Sequence, residues 1–307
     1  MSIFKETDKV ILAGYGFDAG GPHLVLNTLN EERQYRFPVA NQTFSLKCLP
    51  QRYCVGRFDL KTFQTQTCPM KVELIGDSKD TSCPACLEAT GFNPSFYFSS
   101  NVSPQQRAYN ETPHFVYMVY FSPNHVKVGI SSESRGIERL LEQGARAALI
   151  LGRFENADKA RELESELCAQ EGIYETMRAS KKEELFREFP FDINQACEVL
   201  HQQALDRNLN PIQISEMVPG YEGDVLNLQP YYFVESPQTG RIQAAGEGYE
   251  DICGGLCVGM IGSNLVFKQD SLYFVAPIKS WISHIVELHT GEIIKPYDAE
   301  PTQMALL

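Results

Sequence analysis

The sequence predicts an α+β fold in which a central β-β-α-β-α unit lies between a cysteine-rich segment and β-rich flanks. Three observations lead there. Residues 114–168 pass from two short apolar runs, "HFVYMVYF" and "HVKVGIS", to stretches whose apolar positions recur at helical spacing. Both ends of the chain instead alternate apolar and polar positions between glycines and prolines, as strands and turns do. Between the first flank and the centre lies an irregular stretch rich in Cys, Pro, Thr, Gln and Asn, which needs something other than a large apolar core to hold it.

Four regions follow in order. Residues 1–47 read as an N-terminal β region, with strands at "KVILAG", "HLVLNTL" and "YRFPV" and a turn at "AGGP". Residues 48–111 are the cysteine-rich segment. Residues 112–208 hold the α/β domain. There "HFVYMVYF" and "HVKVGIS" pair across "SPN", and "SRGIERLLEQG" puts Ile137, Leu140 and Leu141 on one helical face that ends at Gly144. "ARAALILGRF" predicts a third strand, and Asn156 caps a helix with Ala157, Ala160, Leu163, Leu167 and Cys168 along its apolar stripe. A further helix is expected over roughly 192–207, closed by Pro211. Residues 209–307 return to short β-like runs, with glycines at 254, 255, 259 and 262 that fit bends in a small sheet or barrel. Whether the two β-rich flanks pair with each other is open at this level.

With 307 residues, 43% of them hydrophobic, the chain can bury one large core or two to three small ones. No apolar run approaches the roughly 18 residues of a membrane helix, and "MSIFKETDKV" does not read as a signal peptide, so no membrane partner and a cytoplasmic location are expected. The net charge of −12 is uneven: residues 191–307 carry 5 basic and 15 acidic side chains, whereas residues 1–111 balance at 11 of each. Phosphate neutralisation by Lys and Arg supplies most non-specific nucleic-acid affinity, so the last third is a poor surface for it. That third could instead dock a basic protein partner. No phosphate-loop or dinucleotide fingerprint is present, which leaves a nucleotide cofactor without support.

Nine cysteines in a reducing compartment are free, buried or metal-bound. Cys83 and Cys86 form a CxxC knuckle whose two thiolates can face one tetrahedral ion, and Cys54 and Cys68 can complete the set. Zinc is favoured, in a structural role, because a closed all-thiolate tetrahedron suits it and leaves no position for substrate. Cys48 is a spare that could replace one ligand. Plain core thiols, a redox pair and an iron–sulfur cluster are the competing readings. Cys168, Cys197, Cys253 and Cys257 read as core.

The central unit resembles the GIY-YIG nuclease superfamily. "VYM" at 116–118 puts Tyr117 at the first-strand tyrosine, "KVGIS" at 127–131 puts Gly129 at the second-motif glycine, "ERLLEQG" carries Arg139 at the helix arginine, and "ARELESEL" carries Glu164 at the metal-binding carboxylate. The resemblance implies that Tyr117 helps activate water, Arg139 holds the phosphate, and Glu164 binds magnesium or manganese for phosphodiester hydrolysis. Two positions depart from it. Lys127 replaces the second-motif tyrosine, as in relatives that read "KIG", and can bind phosphate or act as a base. Gln143 stands where many of these nucleases have a histidine. The chain also resembles a bacterial family catalogued as domain of unknown function 2797. That likeness rests on "CVG", "CP", "CPAC", "VYMVYF", "VKVGIS" and "RLLEQGA", in that order, from about residue 50 to 190, and the name implies no activity.

Each of these residues also has a plainer reading. Tyr117 can be a packed core tyrosine, Arg139 a solvated or ion-paired arginine, and Glu162, Glu164 and Glu166 together an acidic helix face. His114 and His125 flank the hairpin as proton carriers or as exposed strand ends. Arg135, Arg146, Arg153, Arg178, Lys181 and Lys182 form either a basic rim for nucleic acid or an ordinary charged surface. The functional expectation is a zinc-stabilised protein acting on DNA or RNA, by metal-dependent cleavage, by binding alone, or as a protein-interaction factor.

Overall fold

The computed structural model describes residues 7–60, 62, 64–76, 79–90, 103–237, 241–246 and 248–297. Strands β1 (Thr7–Asp18), β2 (Gly21–Thr28), β3 (Gln34–Pro38) and β4 (Gln42–Arg52) lead into the small hairpin β5 (Arg57–Asp59) and β6 (Gln64–Gln66). Helices α1 (Pro84–Thr90) and α2 (Pro104–Asn110) come next. The centre runs β7 (His114–Ser122), β8 (His125–Ser132), α3 (Glu138–Gln143), β9 (Ala147–Phe154) and α4 (Ala157–Cys168), the strand, strand, helix, strand, helix order expected from the periodicity. Then follow β10 (Ile173–Tyr174), α5 (Ala179–Glu188), α6 (Ile193–Leu205), β11 (Val225–Asn227), α7 (Gln229–Tyr232) and β12 (Ile242–Ala244). Strands β13 (Ile252–Ile261), β14 (Asn264–Gln269), β15 (Leu272–Pro277) and β16 (His284–Thr290) close the described chain.

The two flanks build one sheet. Nine strands lie in the order β12-β15-β14-β13-β4-β16-β1-β2-β3, so β16 sits between β1 and β4. Val286 of β16 faces Val10 on one side and Cys48 on the other, and β13 pairs with β4 from Ile252↔Lys47 to Cys257↔Gln42. Interleaving N- and C-terminal strands satisfies both hydrogen-bonding edges of β4, β16 and β1, which would otherwise be exposed and open to wrong pairing.

The central sheet has five strands in the order β10-β8-β7-β9-β11, with β7 in the middle. All nine residues of β7 are buried, which explains an apolar run without polar alternation. Period-two geometry sends its side chains to two cores. Val116, Met118 and Tyr120 join Ala160, Leu167, Ala196 and Leu200 under α4 and α6, whereas Phe115, Tyr117, Val119 and Phe121 share one core with the nine-stranded sheet.

Helix ends follow the sequence signals where a cap exists. Asn156 accepts from the Lys159 amide at 2.9 Å, Asp192 from the Asn194 amide at 2.7 Å, and Gly144 ends α3 with φ of +71°. Helix α5 carries no such signal: Arg178 makes no side-chain cap, and its buried residues, Leu185 and Phe186, are adjacent in sequence. Two glycines then weld the centre to the large sheet. Gly262, in the β13–β14 turn at φ of +55°, lies so near Gly144 that a Cβ on it would come within 3.2 Å of the Gly144 Cα. Tyr232, fully buried on α7, donates its hydroxyl to the Ala145 carbonyl at 2.7 Å and pins the same corner. Among the described residues no helix is long and apolar enough to cross a membrane.

Candidate functional site

Tyr117 and Gly129 are direct cross-strand partners on β7 and β8. The tyrosine ring lies across the glycine: a Cβ built on Gly129 would fall 2.5 Å from the Tyr117 hydroxyl oxygen. Tyr117 is 1% exposed, so the packed reading of this residue holds, and its hydroxyl is held beside Gly129. Lys127 lies two residues before Gly129 on the same face of β8. It is also buried, and its Nζ donates to the Val128 carbonyl at 3.0 Å. Burial lowers its pKa; the Glu164 carboxylate opposes that shift and Arg139 adds to it.

Helix α4 turns Glu164 inward while Glu162 and Glu166 stay exposed, so the three carboxylates are not one solvated face. Burial raises the Glu164 pKa, and Lys127, Arg161 and Arg139 pull the other way. Arg139 reaches across from α3, where its Nη1 is 3.6 Å from Glu142 Oε2. Lys127, Arg139 and Glu164 therefore act on one another electrostatically although they come from three elements, and Tyr117 adjoins them through Gly129. Gln143 is tied down: Lys182 Nζ donates to its backbone carbonyl at 2.8 Å and to its Oε1 at 3.1 Å.

The remaining basic and histidine candidates scatter. Arg146 is buried, donating to the Phe189 carbonyl at 2.7 Å and stacking over Phe191, so it is no part of a basic rim. Arg153 pairs with Glu133 at 2.8 Å, Lys181 pairs with Glu184, and Arg135 pairs with Glu142. His114 is buried with Nδ1 2.7 Å from the Thr112 carbonyl, and its charged neighbours are Arg161 and Asp158. His125 sits at the far end of the hairpin, bonded to Ser122 Oγ at 2.7 Å and stacked on Tyr174. Lys182 is the residue whose importance sequence reading understated. It leaves the rim, lies over the Phe121 ring, and is pushed down to about 8 by burial and by the charges of Lys127, Arg139 and Lys279. Only the strand and helix that bring those cations together could reveal this.

A second centre lies in the cysteine-rich segment. The sulfurs of Cys54, Cys68, Cys83 and Cys86 all lie within 4.8 Å of one another, and all four residues are buried. A tetrahedral zinc site with bonds of about 2.3 Å has sulfur–sulfur edges of about 3.8 Å, so the set can close on one such ion. Burial pushes the Cys54 thiol up to about 11, and the amides of Cys83 at 3.1 Å and Gly56 at 3.4 Å, which donate to its Sγ, partly oppose that shift. The four thiols with Val72 and Leu74 form their own small cluster. Cys48 is not in this set: it lies within β4, packed against the main core. Cys253 and Cys257 are core residues of the large sheet, and Cys168 and Cys197 pack beside the helices of the central unit.

Among proteins of known annotation no curated relative matches the chain, and no solved structure does. A family model described as "Protein of unknown function (DUF2797)" matches residues 102–286. The match begins after the four cysteines and runs from α2 through the central sheet to β16, taking in much of the acidic third. With more than half of its length inside that match, the chain belongs to the DUF2797 family.

Proposed function

We propose that this is a zinc-stabilised, GIY-YIG-like protein that acts on DNA or RNA and hydrolyses phosphodiester bonds with one divalent ion. The observation that supports the reading best is the inward turn of Glu164 towards Lys127 and Arg139, beside the Tyr117–Gly129 pair. A magnesium or manganese ion held by Glu164 would supply Lewis-acid stabilisation of the leaving oxygen. Arg139 supplies a guanidinium that can grip two phosphate oxygens, and Lys127 adds a point charge from the floor. Tyr117, enclosed and packed across Gly129, would reach an attacking water as the resemblance implies only if substrate binding opens that contact. The Cys54, Cys68, Cys83 and Cys86 site holds zinc away from the chemistry, as a brace for a segment with little apolar core of its own.

A second reading, nucleic-acid binding without cleavage, is favoured by one feature. Gln143, at the position where many such nucleases carry a histidine, cannot accept or deliver a proton and is held by Lys182. Purified protein of measured zinc content, incubated with labelled single- and double-stranded DNA and RNA and magnesium or manganese, separates the two. Cleavage by the native protein that disappears in Glu164→Ala, with fold and zinc retained, is expected for the nuclease. Absence of cleavage on every substrate, with affinity that survives Glu164→Ala and falls in Arg139→Ala, would overturn it in favour of the binder.

A further inference from the structure

We propose that the cavity at the corner where the central unit meets the nine-stranded sheet is a binding site for a phosphomonoester, the terminal phosphate of a nucleotide or of a nucleic-acid strand. The cavity measures about 70 Å³ and opens beside the Gly144–Gly262 contact. One water needs roughly 10–15 Å³ of such space, so the room suits about five to seven atoms of that size, as in a phosphate group.

Its walls combine apolar Met177, Phe186 and Ile261 with several donors. Helix α5 contributes Lys182 and the Ala179 end of a ten-residue helix that has no side-chain cap and no acidic residue in its first turn. The first-turn amides therefore lack a side-chain acceptor, and the positive end of the helix lies at the cavity wall. The β13–β14 turn and the segment after β15 contribute Ser263, Asn264 and Lys279. Tyr15 contributes a hydroxyl that hydrogen-bonds Ser263 and stays protonated, because burial pushes its pKa up to about 12. Asn264 is 5% exposed, yet its Oδ1 has no hydrogen-bond partner. The same carboxamide also carries an NH₂ group, a two-proton donor, in the cavity wall.

Charge selects for a doubly negative ligand. Lys182 spends its hydrogen bonds on Gln143, and among the described residues neither it nor Lys279 is paired with a carboxylate. Glu142 also lines the cavity, but it is engaged by Arg135 and, at 3.6 Å, by Arg139. Lys182 and Lys279 both line the cavity, with Arg139 close to Glu142 at its edge, which gathers positive charge at this corner. A dianion relieves it. A phosphodiester carries chain on both sides and would have to thread the cavity, whereas a monoester enters by its free end.

The site adjoins the residues of the hydrolysis reading through Gln143 and the Arg139–Glu142 pair, but it does not include Glu164 and needs no divalent ion, so phosphate binding should survive Glu164→Ala. Calorimetric titration of the full-length, zinc-loaded protein with inorganic phosphate, at low ionic strength and without magnesium, tests it. One saturable site is expected, weakened about tenfold in Lys182→Gln and in Lys279→Gln, a difference of about 1.4 kcal/mol. Lys279 is exposed, so its variant should fold even where Lys182→Gln does not, and circular dichroism checks both. Adenosine 5′-monophosphate against adenosine, and one oligonucleotide with and without a 5′-phosphate, identify the source. Tighter binding of the phosphorylated oligonucleotide assigns a strand end, and equal binding of the mononucleotide assigns a nucleotide. No saturable phosphate binding by the native protein, or affinity unchanged by Lys279→Gln, overturns the proposal.

Discussion

Replacing Gly129 by alanine tests the packing on which the central site depends. The new methyl would lie 2.5 Å from the Tyr117 hydroxyl oxygen and 2.7 Å from its Cζ. Ordinary contacts between carbon atoms are about 3.5–4.0 Å, so the ring must retreat by roughly 1 Å. It has little room to do so, because Tyr117 is fully enclosed and every residue of β7 is buried. Overpacking of this kind costs about 1–3 kcal/mol. That cost lies in the displaced ring, so the same substitution in a Tyr117→Leu background should cost less than about 0.5 kcal/mol. The double-mutant cycle then returns a coupling of about 0.5–3 kcal/mol. Urea denaturation followed by far-UV circular dichroism, with zinc held constant, measures all four proteins. Equal costs for Gly129→Ala in both backgrounds would refute the argument, as would a cost below about 0.5 kcal/mol with Tyr117 present.

Three further outcomes follow from the same geometry. Cys54→Ser or Cys83→Ser should reduce bound zinc from one equivalent to almost none, whereas Cys48→Ser should retain it; elemental analysis of purified protein decides, and zinc loss in Cys48→Ser would put that residue back in the ligand set. Burial lowers the pKa of His23 and His114 below the ordinary 6.5. A histidine with a depressed folded pKa contributes stability that is complete above its unfolded pKa and is lost as pH falls. The denaturation midpoint should therefore drop below about pH 6.5 more steeply in the native protein than in a His23→Gln, His114→Gln double variant, and parallel curves would contradict this assignment. Tyr232→Phe strands the Ala145 carbonyl that now accepts at 2.7 Å. A loss of about 1–3 kcal/mol is expected in the same urea assay, and no measurable loss would mean that the carbonyl finds another donor.

The central order of strands and helices was legible because each element carries its own local signal. The apolar run of β7, the αL glycine after α3 and the side-chain caps of Asn156 and Asp192 all act within a few residues. The cysteine set was legible for the same reason, since CxxC spacing is a local geometry that needs only two more sulfurs nearby. Helix α5 escaped because it has no cap and a narrow buried stripe, and packing of Leu185 and Phe186 against the main core stabilises it instead. Hydrophobic periodicity and cysteine spacing specified an α+β chain with a four-thiol centre, and residue counts an acidic final third. Only the tertiary structure decided that β16 pairs with β1 and β4, that Cys48 belongs to the large sheet, that Glu164 turns inward while Glu162 and Glu166 stay exposed, and that Lys182, Lys279 and Asn264 share one corner. The reason is physical: strand pairing and charge proximity are non-local, and hydrogen-bond register across some 240 residues of intervening chain leaves no imprint on the spacing within either partner.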